Sequence, residues 1–120
     1  MAQHVIISLL YKNGMSTLAN SFDAIEKLIY EEGLRIEAID FHPELDVMLV
    51  VLNTKAVLHQ RISSYKNLDK ANADLLSNYE LIAGGVGVHW PMLDEDLNLK
   101  GFLKDELNQI VKGGNNFAAA

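Results

Sequence analysis

Val47-Met48-Leu49-Val50-Val51-Leu52-Asn53-Thr54-Lys55-Ala56-Val57-Leu58-His59-Gln60-Arg61-Ile62 is the stretch on which the fold turns. Its first six residues form the most apolar run in the chain and are rich in β-branched side chains, which favour a pleated backbone. Asn53-Thr54 then interrupts the run, and Val57 to Ile62 resumes it with alternation. Two such runs around a short polar break predict an antiparallel hairpin. Just upstream, Ile36 and Ala38 share one face while Ile39 and Phe41 share the other. That phase slip predicts a bulge or a strand buried on both sides. Pro43-Glu44-Leu45-Asp46 supplies the turn between this strand and the hairpin.

Toward the N-terminus, Val5-Ile6-Ile7-Ser8-Leu9-Leu10-Tyr11 reads as a buried strand ending at the turn pair Asn13-Gly14. Ser16 or Thr17 is placed to cap a helix carrying Leu18, Phe22, Ile25, Leu28 and Ile29 on one face, and Gly33 to stop it. Toward the C-terminus, polar Ser63 to Lys70 leads to Asn72, a cap for a short helix from Ala73 to Asn78. Tyr79-Glu80-Leu81-Ile82, Gly84-Gly85 and Val86-Gly87-Val88-His89-Trp90 predict a second hairpin, which Pro91 ends. A last helix from Asn98 to Lys112 bears Leu99, Phe102, Leu103, Leu107, Ile110 and Val111, with Gly113-Gly114 closing it. The order β-α-β-β-β-α-β-β-α, with hairpin-length connections, predicts an α+β fold: a small, largely antiparallel sheet with helices packed on it. One domain over residues 1–114 and a mobile tail over 115–120 are expected.

A chain of 120 residues with 49% hydrophobic and 22% charged residues is long enough for one core and too ordinary in composition for wholesale disorder. Ten basic against 16 acidic residues give a net charge of −6, which argues against binding a nucleic-acid backbone by itself and would attract a basic protein partner. There is no cysteine, so neither a disulfide framework nor a thiolate site is available. Met1 to Leu10 has no basic segment ahead of its apolar residues and does not read as a signal peptide, and no membrane association is expected. Cytoplasm is the expected compartment.

The stretch Asn78-Tyr79-Glu80-Leu81-Ile82-Ala83-Gly84-Gly85-Val86-Gly87-Val88-His89-Trp90-Pro91-Met92-Leu93-Asp94-Glu95-Asp96-Leu97, with Gly101-Phe102-Leu103 after it, resembles the domain of unknown function family 2442. That family closes with a G-x-G-x-H-W-P-x-L-D-E-D signature. The resemblance extends over Ile36 to Leu107 and includes the hairpin of Val47 to Ile62 and the connector ending at Ala71-Asn72. Two departures stand out. A Gly-Arg pair usual in the first hairpin turn is replaced by Thr54-Lys55, and the first strand and helix lie outside the match. The resemblance implies an architecture rather than an activity. Some relatives look like bacterial proteins encoded beside a second short protein, as toxin–antitoxin pairs are, and others carry an appended helix-turn-helix, for which one helix after the signature is too little here.

His89, Trp90, Pro91, Asp94, Glu95 and Asp96 form the candidate functional or recognition segment. One imidazole and three carboxylates suit a divalent ion or acid–base chemistry, and an extended chain would point Asp94 and Asp96 the same way. No second histidine stands at ligand spacing, since His4, His42 and His59 fall on other elements. The alternative is a joint: acids capping the last helix, His89 bonded to one of them, and Trp90 burying its ring. Ser63, Ser64 and Tyr65 lack a nucleophile-elbow context, and Gly84-x-x-Gly87 precedes no helix that would hold a phosphate. No catalytic residue, cofactor or metal is assigned. The leading reading is a non-enzymatic protein-interaction module, antitoxin-like or regulatory, with a small basic protein as partner. The others are a metal-assisted or acid–base hydrolase using His89 with Asp94 and Asp96, and a structural subunit of a homo-oligomer.

Overall fold

The Asp23 side chain closes a capping box at the start of a helix. The computed structural model describes residues 22–119, with side chains through Gly113; the strand expected at Val5 to Tyr11 and the caps expected at Ser16 or Thr17 lie outside it. Asp23 accepts from the Glu26 amide at 2.8 Å, and Glu26 accepts from the Asp23 amide at 3.0 Å. Both bonds satisfy amides that a helix start leaves free. Helix α1 is therefore Ala24–Tyr30, with Ala24, Ile25, Leu28 and Ile29 buried. Phe22 stands before the cap, so a helix unbroken from Leu18 through Ile29 is corrected.

Strands β1 (Ile36–His42), β2 (Val47–Leu52) and β3 (Val57–Arg61) form an antiparallel sheet in the order β1-β2-β3. The register shifts between Ile36 and Ala38, where the phase slip in the sequence had predicted a bulge. β2 is central and buries Met48, Val50 and Leu52 on one face. Asp46 adopts a left-handed backbone at φ 56° after the turn at Pro43–Leu45, and its carboxylate takes the Ser63 amide at 2.8 Å and hydroxyl at 2.6 Å. The two ends of the β2–β3 hairpin are pinned together there.

Neither edge of this sheet is bare. The Tyr79 hydroxyl accepts from the Ile39 amide at 3.0 Å, and the Ile36 amide donates to the Gly85 carbonyl at 2.8 Å. On the far side, Glu106 accepts from the His59 amide at 3.0 Å and Gln109 donates to the His59 carbonyl at 3.2 Å. Side chains of the last helix thus stand in for a neighbouring strand.

Helix α2 (Ala73–Ser77) starts as expected at Asn72, whose side chain accepts from the Leu75 amide at 2.9 Å. Strands β4 (Glu80–Ile82), β5 (Gly87–Trp90) and β6 (Glu95–Asn98) then form a second antiparallel sheet in the order β4-β5-β6. The α+β class holds, but the described residues form two three-stranded sheets where a single one was expected. The extra strand is β6. Pro91 to Asp94 reverse the chain, with the Leu93 amide on the Trp90 carbonyl at 3.2 Å and Asp94 at φ 50°. Leu97 is the single apolar side chain in β6, too little to announce a strand by alternation.

Helix α3 (Leu99–Ala119) follows directly. Its first turn is capped by Asn98, which accepts from the Gly101 amide at 2.8 Å, and not by the acids. The expected end at Gly113-Gly114 is also corrected: Gly113 keeps a helical backbone and does not take the left-handed conformation that terminates helices. Lys100 ties α3 to α1, with its amine 3.0 Å from Asp23 and 3.3 Å from Glu26. The core between the sheets and these helices includes Ile29, Met48, Leu68, Trp90 and Phe102, each at most 1% exposed.

Candidate functional site

β5 sends alternate side chains to opposite faces, and this separates the residues of the candidate segment. Val88 and Trp90 go into the core, while Gly87 and His89 lie on the other face. In register, His89 stands between Glu80 of β4 and Asp96 of β6. Its Nδ1 lies 2.6 Å from Oδ1 of Asp96, with the imidazole partly buried and the carboxylate exposed. The expected bond between His89 and one of the acids is present, but it joins strand to strand and not strand to helix.

Trp90 is fully buried. Its indole N–H donates to the Leu76 carbonyl at 2.9 Å, and its ring lies 6.2 Å from Phe41 and 6.3 Å from Tyr79. It fixes the end of α2 to the core and offers no surface to a partner. Pro91 and Asp94 are exposed on the β5–β6 turn, where the Asp94 carbonyl accepts from Asn67 at 3.1 Å. Glu95 pairs in register with Trp90, and its carboxylate accepts the Asp96 amide at 3.1 Å. Asp94 is not brought to His89. Among the described residues, no three His, Asp or Glu side chains are grouped so as to hold a metal ion.

A shallow groove of about 310 Å³ runs between β6 and α3, lined by Tyr65, Asp96, Leu97, Asn98, Gly101, Phe102 and Asp105. Of these, the candidate segment supplies only Asp96. Tyr65 and Phe102 pack edge to face with centroids 6.2 Å apart, and the Tyr65 hydroxyl donates to the buried Gln60 side chain at 2.5 Å. Burial, then the nearby carboxylates of Asp105 and Glu95, push the Tyr65 phenol up to about 12. Asp105 accepts from Gln109 at 2.7 Å. Sequence reasoning weighed Tyr65 only as a nucleophile and passed over Gln60 and Asp105. A polar residue at an inward position of an alternating strand was the one available signal for Gln60.

Two acids are shifted the other way. The Ser63 hydroxyl, then the Ser63 amide, hold the Asp46 carboxyl below its ordinary range. Burial opposes the charge on Asp23, but the Glu26 amide and Lys100 outweigh it and hold that carboxyl low as well. Both belong to turns and caps. What remains for chemistry on the β5–β6 face is one imidazole–carboxylate pair, which can hold and pass a proton.

No curated protein matches the sequence significantly. Two solved structures are similar to it. One is a crystal structure of a protein of unknown function from Rhodospirillum rubrum, 25% identical, covering 60% of this chain and 87% of its own, with a TM-score of 0.53. The other is a solution structure of an uncharacterised protein from Chromobacterium violaceum, also 25% identical, covering 67% of this chain and 72% of its own, with a TM-score of 0.55. The family described as "Protein of unknown function (DUF2442)" matches residues 36–107, from the first residue of β1 to the middle of α3. That span takes in both sheets and more than half of the chain, and the protein belongs to this family.

Proposed function

We propose that this domain is a non-enzymatic protein-interaction module, antitoxin-like or regulatory, whose partner is a small basic protein. One observation carries the reading. Among the described residues, β4 is an outer strand whose three residues are all exposed, Leu81 at 37% and Ile82 at 45%. An apolar strand at a sheet edge offers main-chain hydrogen bonds and side-chain contact to an added strand. The contrast with the first sheet supports it, since both of that sheet's edges are occupied by Tyr79, Gly85, Glu106 and Gln109. The net charge of −6 sets the sign of the partner. A bacterial, cytoplasmic setting is part of the same proposal, supported by the bacterial relatives and the lack of cysteine. So is the assignment of His89-Trp90-Pro91 to Asp94-Glu95-Asp96 as the family's signature, which lies inside the matched span.

The test is co-expression with the product of the adjacent gene. The two proteins are expected to elute together at micromolar concentration, and Leu81→Lys is expected to separate them. Separate elution of the unaltered proteins overturns the proposal, as does a doubled mass for this chain alone, which would make β4 a homo-oligomer contact. A second reading, an acid–base hydrolase, draws on the His89–Asp96 pair at 2.6 Å. It requires that Asp96→Asn abolish hydrolysis of an ester or phosphoester panel while leaving the fold intact.

A further inference from the structure

Helix α3 runs on past the sheets it packs against. Leu99, Phe102 and Leu103 are buried at its start, and the same stripe continues through half-buried Leu107 to Ile110 and Val111, exposed at 51% and 77%. One flank of the helix is taken, because Glu106 and Gln109 hold the His59 backbone at the edge of β3. On the other flank, Lys100, Lys104, Leu107 and Val111 recur at the helical spacings that share one face. Lys100 meets Asp23 and Glu26 there, so the start of α1 lies on that flank, and Lys104 acts on the same Asp23 carboxylate. A helix end gains most of its stability by covering its apolar stripe, and this stretch of stripe is exposed.

We propose that the uncharged run Val5-Ile6-Ile7-Ser8-Leu9-Leu10-Tyr11 of this same chain packs over Leu107, Ile110 and Val111. Three observations select that occupant. The chain enters α1 at Asp23, beside Lys100, on the flank that ends in Val111. From Tyr11 to Asp23 an extended chain reaches up to roughly 40 Å, whereas Val111 stands only about 17 Å along the helix from Lys100. The family's span, residues 36–107, contains neither the run nor Ile110 and Val111, so the surplus apolar surface of α3 and the five aliphatic side chains of the run are additions to the same domain. The edge of β4 is the rival destination. It lies two strands away from β6, which leads into α3, a separation of about 10 Å across the sheet. Cover at α3 leaves β4 open to a partner.

The probe is a nitroxide attached to Lys12→Cys in the full chain, which has no other cysteine. Amide signals of Leu107 through Lys112 are expected to broaden most, and within one molecule, so that a mixture of spin-labelled chains and isotope-labelled chains shows no such broadening. Ile110→Lys with Val111→Lys is expected to abolish it while the signals of β1 to β3 stay in place. Met92→Lys, at an exposed apolar position on the β5–β6 turn, is expected to leave it unchanged. Broadening strongest at Glu80 to Ile82 would make the run an added strand of the second sheet, and broadening that passes between molecules would make the cover a second copy of the chain. Each of these overturns the proposal, as do broadening without a preferred place, its persistence in the double-lysine variant and its equal loss in Met92→Lys.

Discussion

The indole N–H of Trp90 donates to the carbonyl of Leu76 at 2.9 Å, with both residues fully buried. Leu76 lies in α2, a helix of five residues that has little stability of its own. A single side chain from β5 therefore satisfies its C-terminal end and holds it against the core.

Trp90→Phe keeps most of the apolar volume but leaves that carbonyl without its donor. A buried unsatisfied acceptor costs about 1–3 kcal/mol, so chemical denaturation should show a loss of that size. Because Trp90 is the single tryptophan, its emission should be blue-shifted in the native protein and move to the red in one step on unfolding.

Gly85 joins the sheets at φ +111°, and a Cβ there would sit 2.3 Å from the Ile36 carbonyl oxygen. Gly84, at φ +68°, has nothing within 4 Å of the same position. Gly84→Ala should cost about 1 kcal/mol, the strain of a left-handed alanine. Gly85→Ala should cost at least about 3 kcal/mol, since backbone must move as well. Equal melting temperatures for the two variants would contradict the close approach.

Tyr65 links stability to alkaline pH. Its phenol titrates near 12 in the folded chain against 10.0 as the ordinary value. The folded-state pKa is raised, so its contribution is fully present below about 10 and is lost as pH rises from there through about 12. Tyr65→Phe should flatten that limb of the stability curve, and the alkaline phenolate absorbance should lose the share of one tyrosine among the four in the chain.

Asp23 acts at the other end of the scale. Its carboxyl is held below 3.8 in the folded chain, so the stability it contributes is present above that pH and lost as pH falls through the folded value. Asp23→Ala removes the capping box and the contact to Lys100, and about 1 kcal/mol should disappear at neutral pH with a shallower acid limb.

Glu106 and Gln109 cover the β3 edge through His59. Replacing both with alanine should speed hydrogen exchange of the His59 amide and promote self-association at that edge, with little change in helix content.

The first sheet was legible in the sequence because its strands carry strong alternation or apolar runs around short turns. Even the bulge near Ile36 was readable, since one misplaced residue shifts every following side chain to the other face. β6 was not legible. Glu95-Asp96-Leu97-Asn98 is strand only because β5 and the turn at Asp94 present a ladder to it, and local composition argues for a cap. The start of α1 was readable in principle from Asp23 and Glu26, a capping box three residues apart, but the apolar stripe running back to Leu18 masked it. In the candidate segment, the pairing of His89 with an acid was anticipated and its partner was not. Residue spacing shows which side chains share a face only after the strand pairing is known. Trp90 and His89 are neighbours in sequence, yet alternation puts one in the core and one outside.

The Ile36 amide finds its acceptor in Gly85 and so completes its hydrogen bonding across the two sheets. The two sheets share this bond: freeing one strands a donor of the other at the bulged start of β1. The chain should consequently unfold as a single cooperative body, and a fragment ending before β4 should remain unfolded even though it contains the most apolar hairpin.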